Sequence, residues 1–141
     1  MILLGLDFGE RRIGVAVSDE LGFAARPLPA VERTSRAQDV ARIGEIASRR
    51  KVHTIIVGLP LNMDGSVGPA ARQAQRFAGL LRRELKLPVE LWDERLTTAE
   101  AERALIAAGE RRARRREVRD GVAAALILQG YLDSHRGNLD T

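Results

Sequence analysis

The sequence contains no cysteine, so neither a disulfide nor a thiolate zinc site can form. Histidine is almost as scarce. His53 and His135 are the only imidazoles, too few to suggest a zinc enzyme. Three Phe, one Trp and one Tyr are the whole aromatic complement, which argues against a surface of base-stacking platforms; any nucleic acid held here is gripped by charge. No uninterrupted apolar run reaches the roughly 18 residues that would suggest a membrane span. Met1 to Asp7 runs straight into a charged residue, with no basic leader ahead of a long apolar stretch. Together with the missing thiols, this predicts a cytoplasmic protein that does not engage a membrane.

What is there is ordinary in bulk and uneven in detail. The 141 residues, 45% hydrophobic and 30% charged, predict a single domain over 1–141, with 133–141 as a loose tail. The net charge is +4, yet residues 111–119 hold six arginines (Arg111, Arg112, Arg114, Arg115, Arg116 and Arg119) against one glutamate, leaving −1 for the remainder. The basicity is therefore a patch, suited to nucleic-acid phosphates or, more blandly, to a solvated loop.

Periodicity predicts the elements. Ile2 to Asp7 is an apolar run, and Ile13, Val15 and Val17 alternate with small residues, so two strands joined by a turn around Phe8–Arg11 are expected. A third strand is expected from Leu28 to Arg33, confined to an edge or irregular start by Pro27 and Pro29. Val40, Ile43, Ile46 and Ala47 recur at helical spacing after Ser35, and Val52 to Val57 reads as a buried strand. Its end runs into a loop through Asn62, Asp64 and Ser66. Ala70 to Lys86 is an amphipathic helix, Val89 to Glu94 a strand, and Thr97 with Glu100 has capping-box spacing for a helix ending at Gly109. The arginine run then bridges to a last helix with Ala123, Ala124, Ile127, Leu128 and Tyr131 on one face. This order predicts an α/β fold: a five-stranded mixed sheet, made of a three-strand antiparallel meander plus two parallel strands, flanked by helices.

In such a sheet a ligand site lies beyond the C-terminal strand ends, where Asp7 and the pair Asp93-Glu94 fall. Asp7 shares a face with Leu3 and Gly5, unless it merely forms an Asx turn with the following amides. Adjacent Asp93 and Glu94 point to opposite faces, and period alone does not choose between them. Asp120 falls on one helical face with Ala124, Ile127 and Tyr131, which turns an acid toward the sheet; an arginine pair or the helix dipole would be the structural explanation. Three acids without His or Cys partners suit Mg2+ or Mn2+, and two such ions could serve phosphodiester hydrolysis. Arg12 and Arg95, with the 111–119 run, would then hold a nucleic-acid strand by its phosphates.

The segments Gly5-Leu6-Asp7-Phe8-Gly9 with Arg12 to Ala16, Val57 to Gly65, Asp93 to Thr98, and Asp120 with Ala123-Ala124, in this order and spacing, resemble the YqgF/RuvX family over nearly the whole chain. The resemblance implies an RNase H-like fold and a bacterial cytoplasmic nuclease that matures the 5′ end of pre-16S rRNA in contact with ribosomal particles, with Holliday junction resolution as the alternative. It carries the catalytic and metal-binding acids onto Asp7, Glu94 and Asp120, so favouring Glu94 over Asp93. Gly9, Asn62, Asp64, Asp93, Thr97 and Thr98 become supporting residues. Glu10-Arg11 departs from the small or hydroxyl residue and lysine expected there, and Arg119 stands where an apolar residue is commoner. Resolving a junction symmetrically would require a homodimer. A non-catalytic RNA-binding assembly factor, carried by the arginine run alone, is the rival from another class. A two-lobed phosphate-binding ATPase is disfavoured by the chain's length and by the lack of a Walker lysine motif.

Overall fold

In the computed structural model, residues 1–96 and 115–135 are described, with side chains from Gly121 onward in the second stretch. The strands are β1 (Ile2–Phe8), β2 (Arg12–Ser18), β3 (Ala25–Glu32), β4 (Val52–Leu59) and β5 (Val89–Asp93). Three helices join them among the described residues: α1 (Arg36–Arg49), α2 (Pro69–Leu85) and α3 (Arg115–Ser134). A single 3-10 turn, Glu94–Leu96, follows β5.

The sheet order is β3-β2-β1-β4-β5. β2 runs antiparallel to both β1 and β3, while β1, β4 and β5 are mutually parallel, so the expected meander plus two parallel strands is what forms. β3 begins at Ala25, three residues before the expected Leu28, and holds both Pro27 and Pro29. Its place at the edge accommodates residues that have no N–H to donate to a ladder.

Ser35 caps α1, its Oγ accepting the Gln38 N–H at 3.2 Å. α2 opens on Pro69, whose missing N–H costs nothing at the first helical position. α3 departs from expectation at both ends. It starts at Arg115, so Arg115, Arg116 and Arg119 are helical rather than part of a connecting bridge. It runs through Asp133 and Ser134, two residues into the segment expected to be loose. Asp120 is therefore the sixth residue of the helix and not a first-turn acid. The helix expected over Thr97–Gly109 lies outside the described residues, as do Thr97, Thr98, Arg111, Arg112 and Arg114. Among the described residues no helix is long and apolar enough to cross a membrane.

The pleat divides the interior into two layers. Leu4, Leu6, Ile13, Val15, Ile55 and Val57 face α1 and α2, where Ile43, Phe77 and Leu81 complete the core. Leu3, Ala16 and Ile56 face α3, against Ala124, Ile127, Leu128 and Leu132. Each such fully buried aliphatic side chain contributes about 1.5–3 kcal/mol relative to exposure. The second layer is thin because the helix comes very close to the strands. A Cβ built on Gly5 would stand 2.7 Å from Leu128 Cβ and 3.0 Å from the Ala124 carbonyl, and one on Gly58 would collide with Ile127 Cδ1. On Gly121 it would stand 2.5 Å from Pro27 Cβ.

Gly5→Ala should therefore lower stability by about 1–3 kcal/mol, since both obstructing atoms are stiff parts of the helix. Gly79→Ala, in the interior of α2 with nothing within 4 Å of the new Cβ, should raise it by about 0.5–1 kcal/mol. Urea unfolding of the two variants checks the pair. A neutral Gly5→Ala would mean that α3 does not pack this tightly.

Candidate active site

The acidic end of the sheet is built by register. Leu6 pairs with Val57, which sets Asp7 beside Gly58, and Gly58 in turn pairs with Trp92. Asp7 shares the α3 face with Leu3 and Gly5, while the next residue, Phe8, turns to the opposite layer and packs on Phe77. The chain then reverses tightly: the Gly9 N–H donates to the Arg12 carbonyl at 3.0 Å, and a Cβ on Gly9 would sit 2.7 Å from that oxygen. Only glycine fits without displacing the hairpin that presents Asp7.

Glu94 is the first residue beyond β5, and its helical turn changes where its side chain goes. Its Cγ and Cδ both lie 3.2 Å from a Cβ built on Gly58, so the carboxyl crosses in front of the glycine toward Asp7. The half-buried carboxyl is pushed up from 4.5 to about 7, first by burial, then by the charge of Asp7 and that of Asp93. Asp93 has the opposite fate. It takes the Arg95 guanidinium at 2.8 and 3.1 Å and the Arg95 N–H at 2.9 Å, which hold it below the usual carboxylate range. The two neighbouring acids therefore differ in their surroundings: Glu94 is thrust among negative charges, and Asp93 is neutralised.

Asp120 lies on α3 one turn before Ala124. Gly121 meets Pro27 of β3, Ala124 and Leu128 lie over Gly5 of β1, Ile127 packs at Gly58 of β4, and Gly130 lies against Trp92 of β5, so the helix crosses the sheet from its β3 edge to its β5 edge. Asp120 precedes Gly121, at the β3 end of that path. Its side chain lies outside the described atoms. Among the described residues no group of three or more acids and histidines forms a metal cluster. What the site offers is a pair of crowded carboxylates, with oxygen donors only. Their mutual repulsion and partial burial are the conditions under which a hard divalent cation is stabilising, so the donor set fits magnesium or manganese.

The surrounding residues sort differently from their linear pattern. Asn62 and Asp64 close the β4–α2 loop on themselves: the Asn62 amide donates to Ser66 Oγ at 2.9 Å and the Ser66 N–H donates to Asp64 at 2.9 Å. The Ser66 contacts lower the Asp64 carboxyl. Arg95 also donates to the Met63 carbonyl at 3.4 Å, fastening that loop to the end of β5. Arg12 is drawn to Glu32 at 2.9 Å. Both arginines expected to meet phosphate are engaged with carboxylates here. A residue that the linear pattern missed is Arg33. It pairs with Asp39, whose side chain is 1% exposed, covers the Phe8 ring at 4.3 Å, and donates to the Gly9 and Glu10 carbonyls at 3.1 and 3.2 Å. Only the cap pattern around Ser35, with Asp39 in the first turn, hinted at it.

The RuvX family pattern, described as Holliday junction resolvase, matches residues 1–134. The chain belongs to the RuvX family. A Myxococcus xanthus protein named "Putative pre-16S rRNA nuclease" is 53% identical over 136 residues, covering 96% of this chain and 90% of its own. A Clostridium novyi protein of the same name is 49% identical over 134 residues, with 95% and 99% covered. Among solved structures, Thermus thermophilus RuvC in complex with a Holliday junction substrate superimposes with a TM-score of 0.65 at 21% identity, covering 96% of this chain and 97% of its own. The fowlpox virus Holliday junction resolvase gives 0.61 at 13%, with 95% and 99% covered. At these identities the likeness establishes the fold, which is RNase H-like.

The carboxyl of Glu94 generates a pH signature. Its folded value lies above the ordinary 4.5, so the folded chain keeps a proton that the unfolded chain releases. Stability of the metal-free RuvX-family chain should therefore fall as pH rises from about 4.5 to about 7, by roughly 1–2 kcal/mol after solvent screening of the half-exposed group. Glu94→Gln should flatten that slope, and added magnesium or manganese should recover stability above pH 7. Thermal midpoints across this range report both; an unchanged slope in Glu94→Gln would remove the carboxyl from the account.

Proposed function

We propose that the chain is a divalent-metal-dependent nuclease that processes the 5′ end of precursor 16S rRNA, with Asp7, Glu94 and Asp120 as catalytic and metal-binding acids. The observation that carries this reading is the Glu94 carboxyl, half-buried beside Asp7 and raised to about 7 by burial and by the charges of Asp7 and Asp93, a placement that a divalent cation would relieve. Family membership and the names of the close relatives support phosphodiester hydrolysis as the reaction class. The cellular site is the cytoplasm, in keeping with the thiol-free chain.

Magnesium or manganese, when bound, supplies a Lewis acid that polarises the phosphate and acidifies a water. The protein's own contribution is geometric and electrostatic. Asp7 is held by the β1–β2 hairpin, and Glu94 by its single helical turn over Gly58. Ile127 forms an apolar wall behind Glu94, limiting access of water from the helix side. Asp93, kept in its arginine pair, is withdrawn from competition for the cation. A cation held by Glu94 would take the carboxylate form, so its affinity would be coupled to pH near 7. Arg111, Arg112, Arg114, Arg115, Arg116 and Arg119 are assigned to the backbone of the nucleic acid, Gly9, Asn62, Asp64, Thr97 and Thr98 to support.

The second reading, resolution of four-way DNA junctions by a homodimer, is favoured by the family description and by the RuvC likeness. Incubating the chain with a labelled rRNA-precursor strand and with a four-way junction, under magnesium, manganese or chelator, separates the two. Metal-dependent cutting of the precursor is expected, reduced at least about a hundredfold in Asp7→Asn and Asp120→Asn. Preferential cutting of the junction would move the assignment to the second reading. Binding of either substrate without cutting would make the chain an assembly factor and the acids a structural cluster.

A further inference from the structure

On the layer opposite Asp7, between the N-terminal part of α1 and the outer side of α2, lies an open cavity of about 530 Å³. Its floor is formed by Phe8 and Phe77, and its walls carry four arginines: Arg33, Arg36, Arg76 and Arg83. No acidic residue lines it among the described residues. Arg33 is held by buried Asp39, and Arg83 touches Glu84 at 3.4 Å with its side chain 74% exposed. Arg36 and Arg76 are exposed, and neither guanidinium meets a carboxylate or other hydrogen-bond partner among the described residues. Arg36 and Arg76 thus stand beside two further guanidinia on one concave basic surface, which attracts an anion extended enough to reach several of them.

We infer that this cleft binds a single-stranded extension of the nucleic-acid substrate by its phosphates, as a second contact beyond the cutting site; this rests on the nuclease reading above. Three observations select that occupant. Arg76 and Arg83 are two helical turns apart along one side of α2, roughly 10 Å at the backbone, a spread that suits the repeated phosphates of a chain. Both faces of the Phe8 ring are already covered, by Phe77 at 4.4 Å and by the Arg33 guanidinium at 4.3 Å, so the floor offers no stacking platform and the grip is on the backbone. Finally, Asp7 and Phe8 are consecutive residues pointing to opposite layers, so a strand engaged at Asp7 reaches the cleft by folding over the rim of the sheet. A duplex resists such a bend, with a persistence length of about 50 nm, whereas a single strand does not.

Binding of a short labelled single-stranded RNA, followed by fluorescence anisotropy in chelator, tests the cleft without requiring cleavage. The double variant Arg36→Ala/Arg76→Ala should bind about tenfold or more weakly, with the slope of log affinity against log salt reduced by about 1.4, the value for two lost phosphate contacts on a single strand. The charge-matched Arg26→Ala/Arg49→Ala, at the start of β3 and the last turn of α1, should change affinity far less. Thermal midpoints near the parent's establish that both variants fold. Equal weakening by the two pairs, or none from the first, overturns the inference, and so does a free mononucleotide that competes as strongly as the strand. Metal-dependent cleavage of the same RNA, read separately, reports on the nuclease assignment, so either conclusion can fail alone.

Discussion

Helix α3 can lie across the sheet at backbone distance only because the strands beneath it present hydrogen atoms where side chains would stand. Gly5 on β1 and Gly58 on β4 receive Leu128 and Ile127, and Gly121 of the helix meets Pro27 of β3. Close packing of this kind transmits position with little slack. It fixes how closely the helix lies on the sheet and where along its length it meets each strand. It also leaves Gly58 as an open window between β1 and β5, and through that window the Glu94 carboxyl comes toward Asp7.

Within that frame, charge is partitioned rather than spread. Asp93 and Glu94 are neighbours in the chain, yet one is lowered by an arginine that folds back on it and the other is raised by burial and by two like charges. The extended strand ends between them. Arg95 completes the division by binding the Met63 carbonyl as well, so that the β4–α2 loop, the strand end and the neutralised acid form one unit. The remaining negative charge is concentrated where a divalent cation can offset it.

Much of this was legible in the order of residues. Apolar runs located β1 and β4, period-two alternation located β2, helical spacing located α1 and α2, and the position of acids at strand ends indicated which edge of the sheet to consider. The choice between Asp93 and Glu94 was not legible from period, because the period itself stops: Glu94 enters a 3-10 turn, and alternation has no meaning there. The start of α3 was misplaced because a run of arginines looks like a solvated connection, although arginine is a good helix former and no glycine or proline separates Arg115 from Asp120. The arginine-lined cleft left no linear trace at all. Arg33, Arg36, Arg76 and Arg83 come from two distant stretches, each unremarkable among surface charges, and become a set only when α1 and α2 pack side by side.

Arg33 gives the acidic site an anchorage that hairpin tips ordinarily lack. Its guanidinium ties the carbonyls of Gly9 and Glu10 to a carboxylate sunk at the base of α1, and its flat face seals Phe8 against Phe77. The reversal after Asp7 therefore belongs mechanically to the helix beyond the third strand, and not to the two strands it joins. A bend of this sort does not fray independently of its surroundings: releasing it means extracting a buried ion pair and part of the main core together. The acid at the end of β1 is accordingly tied, through the reversal that follows it, to the interior of the main core while it stands at the rim.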